Sequence, residues 1–366
     1  MYPPPDLTAW GKRADMVVHN PEPINAEPPA SALAGRELTP SNAFYCRNHG
    51  HIPDIPRDQW QLEIGGTVSN PLTLGYQQLT TEFVARRMVS TLACAGNRRA
   101  ELLTVRPIPG KEPWAQAAIS TASWRGARLS DVLRAAGVNP NKDLHVAFSA
   151  PDIAMETSPP ESYGSSIPLA KAMSEEVLLA WEMNGEPLPR LHGGPMRVVV
   201  PGYIGARSVK WISGITVQPD PSQNYFQAVE YRLLPPDAKP APGVGISLSA
   251  LELNCAILLP EDRATVTGGM VHISGYAIAE HCDRIARVEV SLDHGISWQR
   301  AELPPTDDRW AWRLWSLLTE VEPGPLTVTA RAWDDAGATH PESPEALWNP
   351  SGYANNAWPR AELTVT

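Results

Sequence analysis

Proline is the residue that most restricts how this chain can fold. The sequence has 38 prolines among 366 residues, and each one fixes φ and removes a backbone donor, which disfavours long helices and central strands. The densest cluster, LLPPDAKPAPGVG at 233–245, holds four prolines and two glycines. We interpret it as a linker, which predicts one domain over residues 1–235 and a second over 236–366. A second proline-rich piece, HNPEPINAEPPASAL, predicts an extended N-terminal arm on the surface of the first domain.

Sequence patterns differ on the two sides of the linker. After it, ATVTGGMVHISGYAIA and IARVEVSLDHGISWQRAEL alternate apolar and polar residues and contain turn signals, which is typical of an immunoglobulin-like sandwich. Before it, QLEIGGTV predicts a strand, whereas LSDVLRAAGV and SIPLAKAMSEEVLLAWEMNG predict helices. The expected fold class is therefore α+β followed by an all-β sandwich.

Overall composition argues against several classes of function. A net charge of −10 disfavours nonspecific nucleic-acid binding, which needs a basic surface. The sequence has no run of about 18 apolar residues, so no membrane span is expected. The first residues lack the apolar segment of a signal peptide, and we therefore expect a soluble, cytoplasmic protein. Cys46, Cys94, Cys255 and Cys282 are too scattered for a CxxC metal or redox motif.

Basic residues concentrate in a few glycine-containing segments. Residues 86–106 hold five arginines and one acid around Cys94. The segments CRNHG (46–50), RLHGGPMR (190–197) and GARSVK (205–210) have a similar composition. Glycine lets the backbone approach a ligand closely, and neighbouring N–H groups together with arginine side chains bind oxyanions. These segments together predict a pocket for an anionic ligand next to Cys94.

Three interpretations of Cys94 are compatible with the residues alone. Nearby arginines are expected to lower the pKa of its thiol and favour the thiolate, which attacks electrophiles or binds soft metals. As a nucleophile, Cys94 needs a base, which His49 or His192 would supply. As a metal ligand, it leaves the other basic loops to hold the metal's organic cofactor. The third interpretation is a non-enzymatic protein whose basic loops bind an anionic partner.

Five motifs resemble those of the sulfite oxidase family of molybdopterin enzymes. They are NAFYCRNHG, STLACAGNRR, WEMNGEPLPR, HGGPMRVVVPGYIGARSVKWI and WNPSGYANNAW. They occur in the family's order, and the resemblance runs from residue 24 to residue 363 nearly without gaps. It implies an α+β sulfite-oxidase-type molybdopterin-binding domain followed by an immunoglobulin-like dimerisation domain.

The resemblance also implies roles for individual residues. Cys94 would be the one protein ligand to molybdenum, and the pterin dithiolene and oxo groups would supply the other ligands. Arg47 and Arg99 would bind the substrate oxyanion, Trp114 would form an aromatic wall, and Tyr231 would hydrogen-bond near the metal. The pterin and its phosphate would be held by Tyr45, Cys46, Arg47, Asn48, His49, Asp152, His192, Arg197, Ser208, Val209 and Lys210.

The implied reaction is oxidation of sulfite to sulfate by a homodimer. The chain has no segment that resembles the family's haem domain and no CxxCH motif, so it is similar to haem-free plant and bacterial members. Oxygen or a separate redox protein is then the expected electron acceptor.

Two positions depart from the family pattern. Ala93 stands where many members have glutamine, which alters hydrogen bonding around the metal site.

The second departure concerns the substrate. Ser351 stands where sulfite-oxidising members have an arginine, and members that reduce nitrate also lack that arginine. Nitrate or another oxyanion is therefore the alternative substrate. Arg309 and Arg360 are candidates to replace the missing cation in space.

Overall fold

The chain up to the linker is built mainly of strands. The computed structural model describes residues 6–366. The strands are β1 (Val17–Pro21), β2 (Ile24–Glu27), β3 (Gln61–Gly66), β4 (Leu72–Gly75), β5 (Ala85–Ala93), β6 (Ile119–Arg128), β7 (His145–Ala154), β8 (Glu161–Pro168), β9 (Leu178–Met183), β10 (Glu186–Pro187), β11 (Arg197–Val199), β12 (Gly214–Gln218) and β13 (Arg232–Leu233). The α-helices are α1 (Tyr76–Glu82), α2 (Arg99–Val105), α3 (Leu129–Ala135) and α4 (Leu169–Ala172). Short 3-10 turns lie at Leu7–Trp10, Ala30–Ala32, Arg190–His192 and Gly205–Arg207, and a π-helical turn lies at Phe226–Glu230.

Two five-stranded sheets form this first part. One has the order β10-β9-β6-β5, with β11 also paired to β9, and the other has the order β4-β3-β12-β7-β8. Side chains from both sheets, such as Leu62, Val146 and Leu179, are fully buried in one core. Cys94, Ser208 and Lys210 lie in the loops that leave β5 and β11, and Asp152 lies on β7, so the sheets fix the positions of these residues.

The predicted helix over SIPLAKAMSEEVLLAWEMNG is wrong over most of its length. The segment begins in β8, makes one helical turn as α4 and continues as β9. Strand β9 pairs with β6, β10 and β11 and is almost completely buried. Its continuous apolar run is therefore that of a central strand covered on both faces. The other predicted helix forms as α3, and Gly137 just after it has a φ of 73°.

The second half of the N-terminal arm, from Ile24 onwards, is largely buried, contrary to the expectation that the arm lies on the surface. The arm folds into the antiparallel hairpin β1–β2, and β2 is buried at every residue. The carboxylate of Glu27 accepts hydrogen bonds from the backbone N–H groups of Ala115 (2.7 Å) and Ala117 (3.0 Å). The backbone of Ala26 pairs with that of Cys46. This half of the arm is therefore part of the interior, because its polar groups satisfy backbone donors of the domain.

The second part is a sandwich of two sheets. Strands β13 and β14 pair with each other and join the two ends of the linker. Sheet β15-β17-β20 packs on sheet β16-β22-β21-β18-β19, and Ile273, Val288 and Ala330 are fully buried between them. The strands are β14 (Ile246–Ser247), β15 (Asn254–Leu259), β16 (Thr265–Val266), β17 (Gly269–Ile278), β18 (Ile285–Ser291), β19 (Gln299–Arg300), β20 (Arg313–Val321), β21 (Gly324–Asp334) and β22 (Arg360–Val365). Further 3-10 turns lie at Cys282–Arg284 and Pro344–Leu347.

Polar side chains from the loop after β5 connect the two parts. Arg98 adopts a left-handed conformation with a φ of 65°, and its fully buried guanidinium donates to the carbonyl oxygens of Cys255 and Ala357, both at 2.7 Å. The amide of Asn97 donates to the hydroxyl of Tyr276 at 2.8 Å. This loop is therefore fixed against the sandwich. Nowhere between residues 6 and 366 is there a helix long and apolar enough to cross a membrane.

Candidate active site

One cavity brings most of the predicted site residues together. The predicted residues Tyr45, Arg47, His49, Cys94, Asp152, His192, Arg197, Ser208, Lys210 and Tyr231 line it, together with Phe44, Leu92, Ala95, Tyr163, Gly205 and Ala206. Residues from loops far apart in the sequence therefore converge on one site.

Cys94 lies at the start of the loop after β5, and the residue is 8% exposed. Its sulfur accepts a hydrogen bond from the backbone N–H of Gly96 at 3.4 Å. Burial raises the pKa of the thiol, and the charges of Arg99 and Arg47 oppose this only in part. The expectation that arginines lower this pKa overall is therefore wrong, because desolvation outweighs them. A thiol with a raised pKa is a poor free nucleophile, whereas a bound metal can displace its proton.

Neither candidate base contacts the Cys94 sulfur. The Nε2 atom of His49 is hydrogen-bonded to the hydroxyl of Tyr231 at 2.8 Å, and that of His192 lies 2.5 Å from the ammonium nitrogen of Lys12. Burial and neighbouring cations lower the pKa of both histidines well below its ordinary value. Within residues 6–366 the structure therefore forms no Cys–His catalytic pair.

Cationic groups cluster on one side of the cavity. The Arg197 guanidinium donates to the carbonyl oxygens of His192 (2.9 Å) and Ser208 (2.8 Å). The ammonium group of Lys210 donates to the carbonyl oxygen of Arg47 at 2.9 Å. Burial and the charge of Arg197 lower the pKa of Lys210. A buried anion in this region would stabilise both cations, as expected for a phosphate site.

Asp152 has an unsatisfied acceptor in the same cavity. It lies on β7, where the pairing with β8 is interrupted between Ser149 and Ile153, and only 4% of it is exposed. Its Oδ1 atom is buried and has no hydrogen-bond partner among the described residues. Burial raises the pKa of this carboxyl group, and Lys210 opposes the shift. Because buried acceptors are nearly always paired, the position suits a ligand with N–H donors.

Three predicted cofactor residues lie behind the cavity wall. Cys46 pairs through its backbone with the N-terminal arm, and Val209 packs in the core. Asn48 is hydrogen-bonded through its Oδ1 atom to Lys210 and donates to the carbonyl oxygen of Ile24 at 2.6 Å. These residues thus orient the lining residues and do not themselves face the ligand space.

Tyr163 is a lining residue that the sequence reasoning missed. It lies on β8, stacks on His49 at 4.7 Å between ring centroids and donates to the carbonyl oxygen of Ala206 at 2.8 Å. No motif surrounds it in the sequence. Other missed lining residues, such as Phe44 and Ala95, adjoin recognised motifs and could have been found from that position.

Of the five arginines in 86–106, Arg99 is the one that approaches Cys94. Its guanidinium is 2% exposed and donates to the carbonyl oxygens of Ser351 (3.1 Å), Gly352 (3.1 Å) and Glu112 (2.8 Å). It does not line the cavity, but its charge acts on the Cys94 thiol. The basic segment is thus not one anion-binding patch, because its other arginines lie on the surface or bind the sandwich.

Trp114 is also near the site without lining the cavity. It is fully buried, packs in the same apolar cluster as Cys94 and meets the ring of His19 at 4.6 Å. Its indole N–H has no partner among the described residues. Its position is compatible with the predicted aromatic wall, and that role stays a prediction.

Arg99 contacts Ser351 only through the Ser351 carbonyl oxygen, and Lys111 is a second basic side chain near this segment, beside Tyr353. Arg309 lies against His281 on the sandwich, and Arg360 pairs with Glu342. The suggestion that either arginine replaces the missing cation is therefore wrong. Lys111 instead pairs with the buried carboxylate of Glu230, and its nitrogen lies 5.8 Å from the ring centroid of Tyr353.

Protein side chains alone do not form a multidentate metal site here. Across residues 6–366, no group of three or more His, Cys, Asp or Glu side chains could hold a metal ion. A metal bound at Cys94 would therefore need its other ligands from a cofactor. The cavity beside Cys94, with its cations and its unpaired Asp152 oxygen, fits a cofactor that is both anionic and rich in N–H donors.

The class of protein follows from comparison with known families. Residues 49–226 match the family model described as oxidoreductase molybdopterin binding domain, and residues 246–366 match the Mo-co oxidoreductase dimerisation domain. Sulfite oxidase of Arabidopsis thaliana is 37% identical over 380 residues, which cover 97% of this chain and 95% of that protein. The chain belongs to the sulfite oxidase family of molybdopterin oxidoreductases, which confirms the resemblance drawn from its motifs.

Further relatives extend this finding. Mitochondrial sulfite oxidase of Homo sapiens is 41% identical over 367 residues, which cover 95% of this chain and 66% of that protein. The chain thus spans about two thirds of the length of its mammalian relatives. The sulfane dehydrogenase SoxCD from Paracoccus pantotrophus superposes with a TM-score of 0.80 at 26% identity, over 94% of this chain and 86% of that one. The expected fold class is confirmed, while the boundary at residue 235 stays a prediction.

Proposed function

We propose that this chain binds the molybdenum cofactor through Cys94 and oxidises sulfite to sulfate. The observation that carries the proposal is the single buried thiol in a cavity shared with Arg47, Arg197 and Lys210. A thiol that is unsuited to free nucleophilic attack, next to a cationic cavity, fits a metal ligand beside a phosphorylated cofactor. The names of the similar proteins from Arabidopsis and human support sulfite as the substrate.

The residues present suit the parts of a molybdopterin cofactor. Cys94 would bind the metal, and Asp152 would accept hydrogen bonds from the pterin. His192, Arg197, Ser208 and Lys210 would hold the phosphate, since the cations Arg197 and Lys210 line the cavity together with the neutral His192 and Ser208. When bound, the cofactor would supply the oxo-transfer chemistry and take up two electrons.

The chain's own residues would bind and orient the sulfite dianion. Arg47 lines the cavity, and one carboxylate oxygen of Glu112 lies 3.9 Å from its Nη1 atom. The same Glu112 accepts from Arg99 through its backbone carbonyl, so one residue holds both cations near Cys94. Positioned cations of this kind stabilise an oxyanion and its transition state by electrostatic preorganisation. Lys111 would add a third positive charge at the side where the family arginine is missing.

Tyr231 would donate a hydrogen bond within the site. Burial raises the pKa of its phenol well above the ordinary value, so it remains protonated at neutral pH. His49, which is neutral because its pKa is lowered, would donate from Nε2 to the Tyr231 hydroxyl oxygen at 2.8 Å, which leaves the single O–H of Tyr231 free for the site. Trp114 would exclude water behind the metal ligand, since it is fully buried in the same cluster.

The net reaction needs partners outside the chain. Oxidation of sulfite adds one oxygen atom from water and releases two protons and two electrons. An external acceptor, either oxygen or a redox protein, would take the electrons.

We also propose that the chain forms a homodimer through its sandwich, which is supported by the match of residues 246–366 to a dimerisation domain. Light scattering should then give twice the chain mass of 39.9 kDa, and a monomer would contradict this proposal.

Ser351 favours a second candidate, a same-fold enzyme that acts on nitrate or another oxyanion. The test measures sulfite oxidation and nitrate reduction by the same molybdenum-loaded preparation, with Cys94→Ser as the control. Sulfite oxidation that depends on Cys94 would support the first proposal. Nitrate reduction without sulfite oxidation would replace it with the second.

A further inference from the structure

Lys12 is a buried lysine in contact with the proposed cofactor site. It follows the 3-10 turn Leu7–Trp10 and is only 5% exposed. Its ammonium nitrogen lies 2.7 Å from the carbonyl oxygen of Ser41, 2.8 Å from that of Phe44 and 2.5 Å from Nε2 of His192. A lysine ammonium has three N–H donors and no acceptor, and these three neighbours account for all of them.

The contact between Lys12 and His192 determines where the imidazole proton resides. His192 is 4% exposed, and burial together with the charges of Lys12, Lys210 and Arg197 keeps it neutral by lowering its pKa. A neutral imidazole has one protonated and one bare nitrogen. If Nε2 accepts from Lys12, the proton must be on Nδ1.

The other ring nitrogen of His192 is free to serve the cavity. The His192 ring lines the cavity beside Arg197, Ser208 and Lys210, and in the part of the chain that the structure describes its one side-chain hydrogen bond is made by Nε2, not by Nδ1. An N–H at this position adds a neutral donor to a site that otherwise presents cations. Such a donor suits an anionic oxygen of the ligand.

We propose that Lys12 is a positioning residue of this site. Lys12 holds His192 as the tautomer with its proton on Nδ1, and the His192 Nδ1–H group then faces the cavity as a donor to an anionic ligand. The inference rests on the proposed cofactor site, and it extends that site to the segment that precedes the N-terminal arm. An apolar cluster keeps this segment in place, since Leu7 and Met16 pack in one cluster with Leu191, the residue before His192. The opposite arrangement, a neutral Lys12 amine that accepts from Nε2–H, would satisfy the same distances and is the outcome that contradicts the proposal.

The test is nitrogen-15 NMR of the molybdenum-loaded protein with labelled imidazoles, and the His192→Gln spectrum assigns the signals. Long-range proton–nitrogen correlations distinguish a protonated ring nitrogen from a bare one. We expect Nδ1–H in the wild type at pH 7. Finding Nε2–H would overturn the proposal, and this part of the test needs no variant to fold.

Two variants then test the dependence on Lys12. In Lys12→Met we expect loss of the single tautomer and about 10-fold weaker retention of molybdenum during dialysis. Lys12→Arg, which also offers only donors, should restore both. Lys171→Met is the matched control, because Lys171 is also largely buried but pairs with Glu176. An unchanged tautomer or unchanged molybdenum content in Lys12→Met would overturn the proposal. If the tautomer and the molybdenum content behave as expected but the wild type does not oxidise sulfite, the result would instead count against the proposed substrate.

Discussion

Gly96 and Arg99 should act as one unit, and a double-mutant cycle tests this. A Cβ atom added at Gly96 would lie 2.3 Å from Nη2, 2.5 Å from Cζ and 2.8 Å from Nη1 of Arg99. The guanidinium would have to move by roughly 1 Å to restore normal contact, and a displacement of that size in a positioning group costs about 10²-fold in rate. Its three hydrogen bonds to backbone carbonyl oxygens oppose the movement.

We therefore expect Gly96→Ala to lower kcat/KM for sulfite about 10²-fold, equivalent to about 2.7 kcal/mol. Arg99→Ala should cost about 2–4 kcal/mol, because it removes one cation from a dianion site. The double variant should be no worse than Arg99→Ala, since the group that Gly96→Ala displaces is then absent. Gly65→Ala is the matched control, because a Cβ there meets nothing within 4 Å.

The assay is steady-state sulfite oxidation with an artificial electron acceptor, with rates normalised to molybdenum content. Additive losses in the double variant, about 10⁴-fold in total, would refute the idea that Gly96 acts through Arg99. A Gly96→Ala variant as active as Gly65→Ala would refute the proposed substrate role of the Arg99 guanidinium.

Three other variants test separate parts of the account. Cys94→Ser should lose the bound molybdenum or its thiolate absorption together with at least about 10²-fold in activity, while the fold persists by circular dichroism; full activity would remove the ligand assignment. Lys111→Met should raise KM for sulfite about 10-fold and reduce the salt dependence of kcat/KM, because it removes a cation from the substrate side. Lys171→Met is the control. Equal effects of the two variants would refute the role of Lys111. Burial lowers the pKa of His340 to about 4, so the folded state resists its protonation, and stability is lost as pH falls from about 6.5 towards 4. The difference in unfolding free energy between the wild type and His340→Gln should shrink by about 2 kcal/mol between pH 7 and pH 5, and urea titrations showing a constant difference would contradict this.

The sequence predicts the architecture well where local chemistry decides it. Alternating strands and turn signals after the linker produce the sandwich, and α3 forms where its periodicity and Gly137 place it. The prediction fails at β9, because a continuous apolar run is compatible with a helix and with a central strand. Only the pairing partners of β9, which are distant in the chain, distinguish the two.

The candidate site shows the same limit. Cys94, Arg47 and Lys210 lie in recognisable motifs and line the cavity together. Arg98 and Arg99 are adjacent and chemically identical. Arg98 has a left-handed backbone, and its side chain binds the sandwich, whereas the side chain of Arg99 lies beside Gly96. Sequence cannot separate them, because the difference arises from backbone conformation and long-range contacts.

Lys12 could not have been assigned a role from sequence for a related reason. Its partner His192 is 180 residues away, and no motif surrounds it. The proline-rich arm that follows Lys12 in the chain is likewise predicted to be exposed, because its burial depends on contacts with distant parts of the domain. Glu27, which caps the backbone N–H groups of Ala115 and Ala117, is an example of such a long-range contact.

The most direct test of the central claim is anaerobic mixing of sulfite with the molybdenum-loaded, oxidised protein. Absorbance of the thiolate-to-molybdenum band reports the redox state of the site that contains Cys94. We predict rapid bleaching at low sulfite concentration, and no bleaching when nitrate replaces sulfite. A band that sulfite leaves unchanged but dithionite removes would contradict sulfite oxidation and indicate an intact molybdenum site with another substrate.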